Sequence, residues 1–215
     1  MDPQQAAMLR VNPATAWGLL HAAGTLPRGA WVVQNAASSA AGHCVIQLAR
    51  HFGLRSLNLV RREESIGPCR ALGADAVLLD CPEAVAQARA LPGFEPPALA
   101  LNAVSGDSAT RLMDLLAPRG TMVTYGAMSR QPVKVPNSFL IFKELHLRGF
   151  WVTRWMEEAP IEEVHSIYAE LAGLVVAGKL QQPIAAEYPL SEIASAVKHA
   201  AQSGKNGKII VNLAG

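Results

Sequence analysis

Short apolar segments alternate with helical patterns through the middle of the chain, and this alternation limits the fold more than any other sequence feature. The strand-like segments are 30–35, 56–60, 76–80, 98–104, 120–126 and 145–152. Helical patterns separate them at 41–52, 63–72, 82–90 and from Ser105 or Asp107 to 116. Strands that alternate with helices form right-handed βαβ units around a parallel sheet. The sequence therefore predicts an α/β fold with a doubly wound, parallel, six-stranded sheet.

The ends of the chain depart from this pattern. Residues 1–29 are helical in character, and Asn12-Pro13 separates two helices with Pro13 in the first turn of the second. Beyond residue 154 the sequence predicts a helix over 160–176 and another over 191–202. The apolar segments "IAAEYPL" and "KIIVNL" read as strands without an evident partner in this chain, so we expect a neighbouring sheet to cover them. The predicted domains are residues 1–154 and 155–215.

Composition excludes several classes of function. Hydrophobic residues make up 50% of the chain and charged residues 17%, which allows a sizeable core. The formal net charge of +2 is too small for a general nucleic-acid or membrane-binding surface. The three cysteines form no CxxC pair and the six histidines are scattered, so we expect no metal site and a reducing compartment. With no signal or membrane-spanning pattern, the expected location is the cytoplasm.

The turn after the first predicted strand, "NAASSAAG", lies where a Rossmann-type fold holds its glycine-rich phosphate loop. The positions of the GxGxxG fingerprint are occupied by Ala37, Ser39 and Gly42. Only the glycine that allows close helix packing is kept, although the replacements are small. The helix N-terminus and the Ser38 hydroxyl are still available to an anion. The turn alone is equally compatible with a plain strand-to-helix connection.

Two arginines at the end of the second predicted strand favour the interpretation of this turn as a phosphate-binding loop. Arg61 and Arg62 lie 19 and 20 residues after Gly42, where NAD-binding proteins carry an acidic residue for the ribose hydroxyl. Guanidinium groups instead suit the 2′-phosphate of NADP(H). The alternative is a solvated, charged helix start, since Glu63 and Glu64 follow directly. We favour NADP(H) over NAD(H).

Further candidates lie at the carboxyl ends of the later strands, where this fold binds its ligands. They are Asn102 and the residues to 106, then Tyr125, Gly126 and Met128, then Phe150 and Trp151. Tyr125 and Trp151 could instead be core aromatics. Their shared position at strand ends favours a role in binding.

These segments together resemble the medium-chain dehydrogenase/reductase superfamily, and within it the trans-2-enoyl-CoA reductases of mitochondrial-type fatty-acid synthesis. The stretches that carry the resemblance are "VNPATAWGLL", "VVQNAASSAAGHCVIQLA", "LNLVRR", "LALNAVSG", "GTMVTYGAMSRQPV" and "FLIFKELHLRGFWV". They are spread over most of the chain and are more specific in combination than one glycine motif.

The resemblance implies a set of cofactor contacts. By position, the family's phosphate loop matches Ser38, Ser39, Ala40 and Ala41, and its 2′-phosphate segment matches Arg61, Arg62 and Glu63. Its tyrosine-containing segment matches Tyr125, Gly126, Ala127 and Met128, its Phe-Trp segment matches Phe150 and Trp151, and its late lysine matches Lys208. Ala40 and Ala127 replace glycines of the family, and their added methyl groups could weaken or shift phosphate binding.

The resemblance also implies an incomplete catalytic unit. Members of the family begin with a GroES-like substrate domain that supplies a tyrosine thought to donate a proton, whereas this chain starts just before the cofactor domain. Residues 155–215 would then be the remnant of that catalytic domain. The resemblance offers no catalytic acid in this chain, and Tyr125 is expected to contact the cofactor.

The implied function is NADPH-dependent reduction of 2-enoyl thioesters, with hydride delivered to Cβ and a proton to Cα, or the cofactor-binding part of such an enzyme. A quinone oxidoreductase of the same superfamily and a catalytically inactive NADPH-binding or interaction protein are the alternatives. The resemblance further implies a zinc-independent homodimer that pairs through the sixth strand, 145–152. It adds the mitochondrial matrix as a second expected location.

Overall fold

The chain folds around one six-stranded parallel sheet, and a second sheet of two strands lies near the C-terminus. The computed structural model describes residues 1–202, 204 and 207–213. The strands are β1 (Trp31–Gln34), β2 (Arg55–Val60), β3 (Ala76–Leu79), β4 (Leu99–Asn102), β5 (Thr121–Thr124), β6 (His146–Gly149), β7 (Ile184–Pro189) and β8 (Lys208–Asn212). The helices are α1 (Pro3–Met8), α2 (Asn12–Leu20), α3 (Ala40–His51), α4 (Ile66–Ala71), α5 (Ala84–Arg89), α6 (Gly106–Leu115), α7 (Asn137–Ile141), α8 (Val152–Glu158), α9 (Ile161–Val176) and α10 (Ile193–Ala201).

The large sheet has the strand order β3-β2-β1-β4-β5-β6, and every pair in it is parallel. The chain moves outward from β1 to β3 and then returns to place β4 on the other side of β1. Strand order reverses at that point, so the loops after β1 and β4 separate and leave a crevice at the carboxyl edge of the sheet. The predicted α/β class and doubly wound, six-stranded sheet are confirmed.

Apolar residues alternate between the two faces of the sheet and form a core on each. On one face Val32 and Leu101 pack with Leu19 of α2, Val45 of α3 and Leu171 of α9. The residues that pack on the other face are Val33 and Leu57 of the sheet, Ala88 of α5 and Leu112 of α6. Helices cover both faces because parallel strands bury both sets of side chains.

The two C-terminal strands pair with each other, which corrects the expectation that they lack a partner in this chain. β7 and β8 are parallel and α10 crosses between them, so they form a complete βαβ unit. Neither strand contains a fully buried residue. The sequence pattern did not indicate this pairing because two short strands carry no signal of their register.

Most predicted elements are confirmed, with shifted bounds. The predicted helix over 63–72 begins as a 3₁₀ turn, Glu63–Ser65, before α4. The predicted sixth strand over 145–152 is wrong at its end, because β6 stops at Gly149 and α8 starts at Val152. α7 and α8 were not predicted, since five- and seven-residue helices show too little periodicity.

The division into residues 1–154 and 155–215 stays a prediction, and residues 203, 205–206 and 214–215 of the second part lie outside the described residues. The proposed boundary falls inside α8, and α9 beyond it packs into the same core as α2 and α3. Among the described helices, none has the length and apolar content needed to cross a membrane.

Candidate functional site

A cleft of about 890 Å³ lies at the carboxyl edge of the large sheet, in the crevice that the strand order creates. Its walls come from the turn after β1, the ends of β2 and β3, the start of α6 and the segment that leads into β8. This volume falls in the range of ligand sites for cofactor-sized molecules. The position is the one at which doubly wound sheets bind ligands.

The start of α3 offers unused hydrogen-bond donors to this cleft. Ser39 is the N-cap, and its side-chain oxygen accepts a bond of 3.1 Å from the Gly42 amide. The His43 amide donates to the Ser39 carbonyl at 2.8 Å. The amides of Ala40 and Ala41 have no acceptor among the described residues, as expected for the first turn of a helix. Because the helix dipole also favours negative charge here, the turn suits an anion.

Gly42 is required by a close approach of backbone. A Cβ atom at this position would lie 2.5 Å from the Ala37 carbonyl oxygen and 2.7 Å from that of Ala36. Ala36 bends the turn back over the helix with a φ of +48°. Gly42, the glycine that remains of the fingerprint, could therefore not be replaced by a larger residue. Ala37, at the first fingerprint position, fits as a buried side chain.

Arg61 and Arg62 line the cleft from the end of β2. Arg62 pairs with Glu64, with Nε 3.0 Å from Oε1, so its charge is partly compensated. Arg61 forms no ion pair or hydrogen bond with any described residue. Glu63 starts the 3₁₀ turn beside them. Neither Glu63 nor Glu64 lines the cleft, so the side of this segment that faces the cleft is positive and Arg61 is the more available guanidinium.

A buried amide network fixes the loop after β4. Asn35 donates to Asn102 Oδ1 at 2.9 Å and to Ser108 Oγ at 2.8 Å. Asn102 Oδ1 also accepts the amides of Val104 at 3.2 Å and Ser105 at 2.9 Å. These bonds hold Ser105 at a φ of +72° and ψ of −165°, a region that non-glycine residues rarely occupy. Asn102 therefore lies beneath the cleft and shapes its wall.

A partly buried ion pair closes the β3 side of the cleft. Arg111 Nε lies 2.7 Å from Asp80 Oδ1, and their side chains are 19% and 11% exposed. The Ser108 hydroxyl donates to the other oxygen of Asp80. Sequence reasoning missed Asp80, Ser108 and Arg111. The available signal was the position of Asp80, which directly follows a predicted strand at the ligand-binding edge.

The structure brings together about half of the predicted site residues. Those that line the cleft are Ser38, Ser39, Ala40, Arg61, Arg62, Met128 and Lys208. Those that do not are Ala41, Gly42, Asn102, Tyr125, Gly126, Phe150 and Trp151. Five of these seven residues lie in or directly after α3, β4 and β5, the elements that position the loops of the cleft. The assignment of all seven residues to cofactor binding stays a prediction.

Three aromatic candidates lie away from the cleft. The Tyr125 hydroxyl is buried without a partner among the described residues, and burial raises its pKa. Phe150 packs directly on Gly18 of α2. Trp151 is 66% exposed and lines a separate open cavity of about 500 Å³ with Phe150 and Arg154. Tyr125 packs against the core beneath the sheet edge, and its assignment to the cofactor stays a prediction.

His43 was not predicted as a site residue, yet it lines the cleft. It lies off the apolar face of the predicted helix, yet its side chain is only 4% exposed. Gln47, one turn further on, is also buried and bonds to the backbone of Gln181. The segment that leads into β7 covers this face of α3, and no local pattern in the sequence indicates that contact.

Within the described ranges, no three His, Cys, Asp or Glu side chains are grouped so that they could hold a metal ion. The absence of a metal site remains an expectation.

A Rossmann-type α/β protein of the dehydrogenase class is defined by three features of this structure. They are the strand order, the helix N-terminus suited to a phosphate and the two arginines at the end of β2. More narrowly, the chain belongs to the zinc-binding dehydrogenase family, whose model matches residues 40–169, and so to the medium-chain dehydrogenase/reductase superfamily.

Individual relatives agree with this assignment. The chain is 37% identical over 210 residues to the mitochondrial enoyl-[acyl-carrier-protein] reductase of Dictyostelium discoideum, a match that covers 95% of this chain and 60% of the relative. It is 40% identical over 203 residues to the human protein of the same description, covering 91% and 54%.

Among solved structures, the Etr1p complex with NADP and crotonyl-CoA superposes with a TM-score of 0.87 at 27% identity, over 99% of this chain and 62% of that one. The chain thus spans about three fifths of the length of the curated relatives it matches.

Proposed function

We propose that the chain binds NADP(H) in the cleft at the carboxyl edge of the large sheet and serves in the reduction of 2-enoyl thioesters. The observation that carries the proposal is that a helix start with free amide donors and a pair of arginines line one cleft. The first group suits a diphosphate and the second an additional phosphate monoester. A dinucleotide with a 2′-phosphate carries both.

The residues present fit such a cofactor. The first turn of α3 would hold the diphosphate through the amides of Ala40 and Ala41, with the Ser38 and Ser39 hydroxyl groups beside them. Arg61 would bind the 2′-phosphate, and Arg62, held by Glu64, would add charge at the same edge. When bound, NADPH supplies the hydride for the reduction.

Several other residues are assigned supporting roles. The Asn35–Asn102 network would hold the loop over 103–106 against the cofactor. Met128 and Lys208 line the two sides of the cleft, so an apolar and a cationic contact with the cofactor are available there. Tyr125, Gly126, Phe150 and Trp151 would act at the nicotinamide end, beyond the cleft. We assign no proton donor to this chain.

The substrate class follows from the relatives. The curated relatives are enoyl-[acyl-carrier-protein] reductases, and the superposed structure contains crotonyl-CoA, a 2-enoyl thioester. The chain matches only part of each relative, so the complete activity would need the region that this chain does not match. These relatives are mitochondrial proteins, which favours the mitochondrion over the cytoplasm as the site of action.

We further propose that two copies pair through β6. This strand lies at the edge of the sheet, and all four of its residues are exposed. Ile141 and Phe142, which precede β6 in the chain, are 64% and 80% exposed and add apolar surface that a second copy could cover. An antiparallel β6–β6 contact would join the two sheets and cover this surface. Light scattering that gives a monomer at micromolar concentration would exclude it.

Cofactor consumption by the 215-residue chain tests the substrate class. The purified chain is mixed with NADPH and either a 2-enoyl-CoA or a quinone, and NADPH oxidation is followed by absorbance. Turnover with the enoyl thioester alone supports the proposal, and turnover with quinone alone would assign the protein to the other branch of the superfamily. Micromolar NADPH binding without any turnover would show that the chain is a cofactor-binding part only.

A further inference from the structure

His43 is a buried imidazole without a partner at the wall of the cofactor cleft. It is 4% exposed, and neither of its ring nitrogens has a hydrogen-bond partner among the described residues. Leaving such buried polar atoms unpaired costs on the order of 1–3 kcal/mol each. Because buried polar groups in folded proteins are nearly always bonded, an unpaired one beside a cleft indicates a missing ligand.

The residues around His43 indicate that this ligand is an anion. It stands in the first turn of α3, directly after Gly42, and lines the cleft together with Ser39 and Ala40. Side chains in a helix point back toward its N-terminus, so the imidazole lies at the level of the free amides. A group that accepts hydrogen bonds from those amides is therefore within the reach of His43.

Lys208 adds a second cation at the same place. It lines the cleft from β8, and its charge reaches α3, since it opposes the rise of the Cys44 pKa to about 12 that burial causes. The described charged residues on the cleft wall are Arg61, Arg62, Arg111, Lys134 and Lys208 against Asp80 and Asp107. α2, which packs on α3, carries no charged side chain. Among the described residues no carboxylate is bonded to His43.

We propose that His43 is a proton-coupled ligand for the diphosphate of the bound dinucleotide, an assignment that rests on the proposed NADP(H) function. The imidazole takes up a proton from solvent as the cofactor binds and donates a hydrogen bond to a diphosphate oxygen. The cofactor thereby supplies the acceptor that the free protein lacks. Affinity for the dinucleotide then depends on pH through His43.

The sign of the effect follows from the environment of His43 in the two states. In the free chain, burial lowers the pKa of His43 below 6.5, so the ring is neutral at pH 7. The doubly negative diphosphate favours the imidazolium and raises that pKa in the complex. Proton uptake on binding therefore strengthens affinity as pH falls toward the pKa of the free chain. Lys208 and the arginines oppose the protonation in both states.

The test compares wild type with His43→Gln in NADPH titrations at several pH values. Glutamine keeps a hydrogen-bond donor of similar size but cannot take a charge. We expect the two proteins to bind within about threefold of each other near pH 8, and wild type to bind about tenfold more tightly near pH 5.5. Because the ratio is taken for the same ligand, titration of the 2′-phosphate cancels. His51→Gln, on the last turn of α3, is the matched control and should follow wild type.

Histidine NMR provides a readout that does not depend on catalysis. The Cε1–H resonance of His43, assigned from its absence in His43→Gln, should titrate with a higher pKa when oxidised NADP is bound than when the chain is free. An unchanged His43 pKa, or identical pH profiles for wild type and His43→Gln, would overturn the proposal while NADPH binding itself remained intact. If NADPH does not bind wild type at any pH, the proposed function fails and the His43 proposal fails with it.

Discussion

The two sheets of this chain differ in how much of their surface the chain itself covers. β1 and β4 in the large sheet are buried along their whole length, with helices on both faces. β7 and β8 contain no fully buried residue, and Ile193 and Val197 of α10 beside them are 46% and 61% exposed. The first sheet is a complete packing unit and positions the cleft. The second contributes Lys208 to the cleft but has an apolar surface that this chain leaves uncovered.

The largest effect is expected when the same substitution, leucine to alanine, is made once in each sheet region. Leu101→Ala removes a side chain of β4 that is 0% exposed, and Leu213→Ala removes one that is 76% exposed just after β8. We expect Leu101→Ala to lower the free energy of unfolding by about 3 kcal/mol because it leaves a cavity. Leu213→Ala should change it by less than about 0.5 kcal/mol. Urea unfolding followed by circular dichroism measures both, and similar losses would contradict the contrast.

A second test compares two glycines in helices. In Gly42→Ala the new methyl group meets the Ala36 and Ala37 carbonyl oxygens, so we expect a loss of about 2 kcal/mol and weaker NADPH binding. Nothing lies within 4 Å of the corresponding position at Gly173 in α9, so Gly173→Ala should raise stability by roughly 0.5–1 kcal/mol. Opposite signs are predicted from thermal melts. A stabilised Gly42→Ala would show that the turn is not tightly packed.

The third test sets a partly buried ion pair against an exposed one. Asp80→Ala removes the carboxylate that accepts from Arg111 Nε and the Ser108 hydroxyl at the edge of the cleft, and should cost about 1–2 kcal/mol. Glu158→Ala removes the exposed partner of Arg154 in α8 and should leave the melting temperature unchanged. Differential scanning calorimetry at low and high salt distinguishes the pairs, since salt screens only the exposed one strongly. Equal shifts for the two variants would contradict the role given to Asp80.

The large sheet could be predicted because its signals are local. Each strand from β1 to β5 is a short apolar run bounded by turns. The small residues at the start of α3 are neighbours in the sequence, so they are visible without the structure. The pairing of β7 with β8 could not, because it depends on α10 placing two weak strands side by side. α7 and α8 were missed for a different reason, because helices of five and seven residues are too short to show a helical period.

The site was predicted where it depends on the loop and the end of β2, at Ser39, Arg61 and Arg62. It was not predicted where it depends on tertiary contacts. The face of α3 that carries His43 and Gln47 is covered by the segment before β7, and Asp80 meets Arg111 because the fold brings the end of β3 to α6.

The most direct test of the central claim is the preference of the cleft for NADPH over NADH. Fluorescence titration of wild type should give tighter binding of NADPH, and an Arg61→Ala/Arg62→Ala double variant should lose about tenfold or more in NADPH affinity while NADH affinity stays nearly constant. Arg89→Ala, an exposed arginine of α5 that pairs with Asp114 and lies outside the cleft, serves as the control. Equal affinities for the two cofactors in wild type, or an unchanged NADPH affinity in the double variant, would contradict the account.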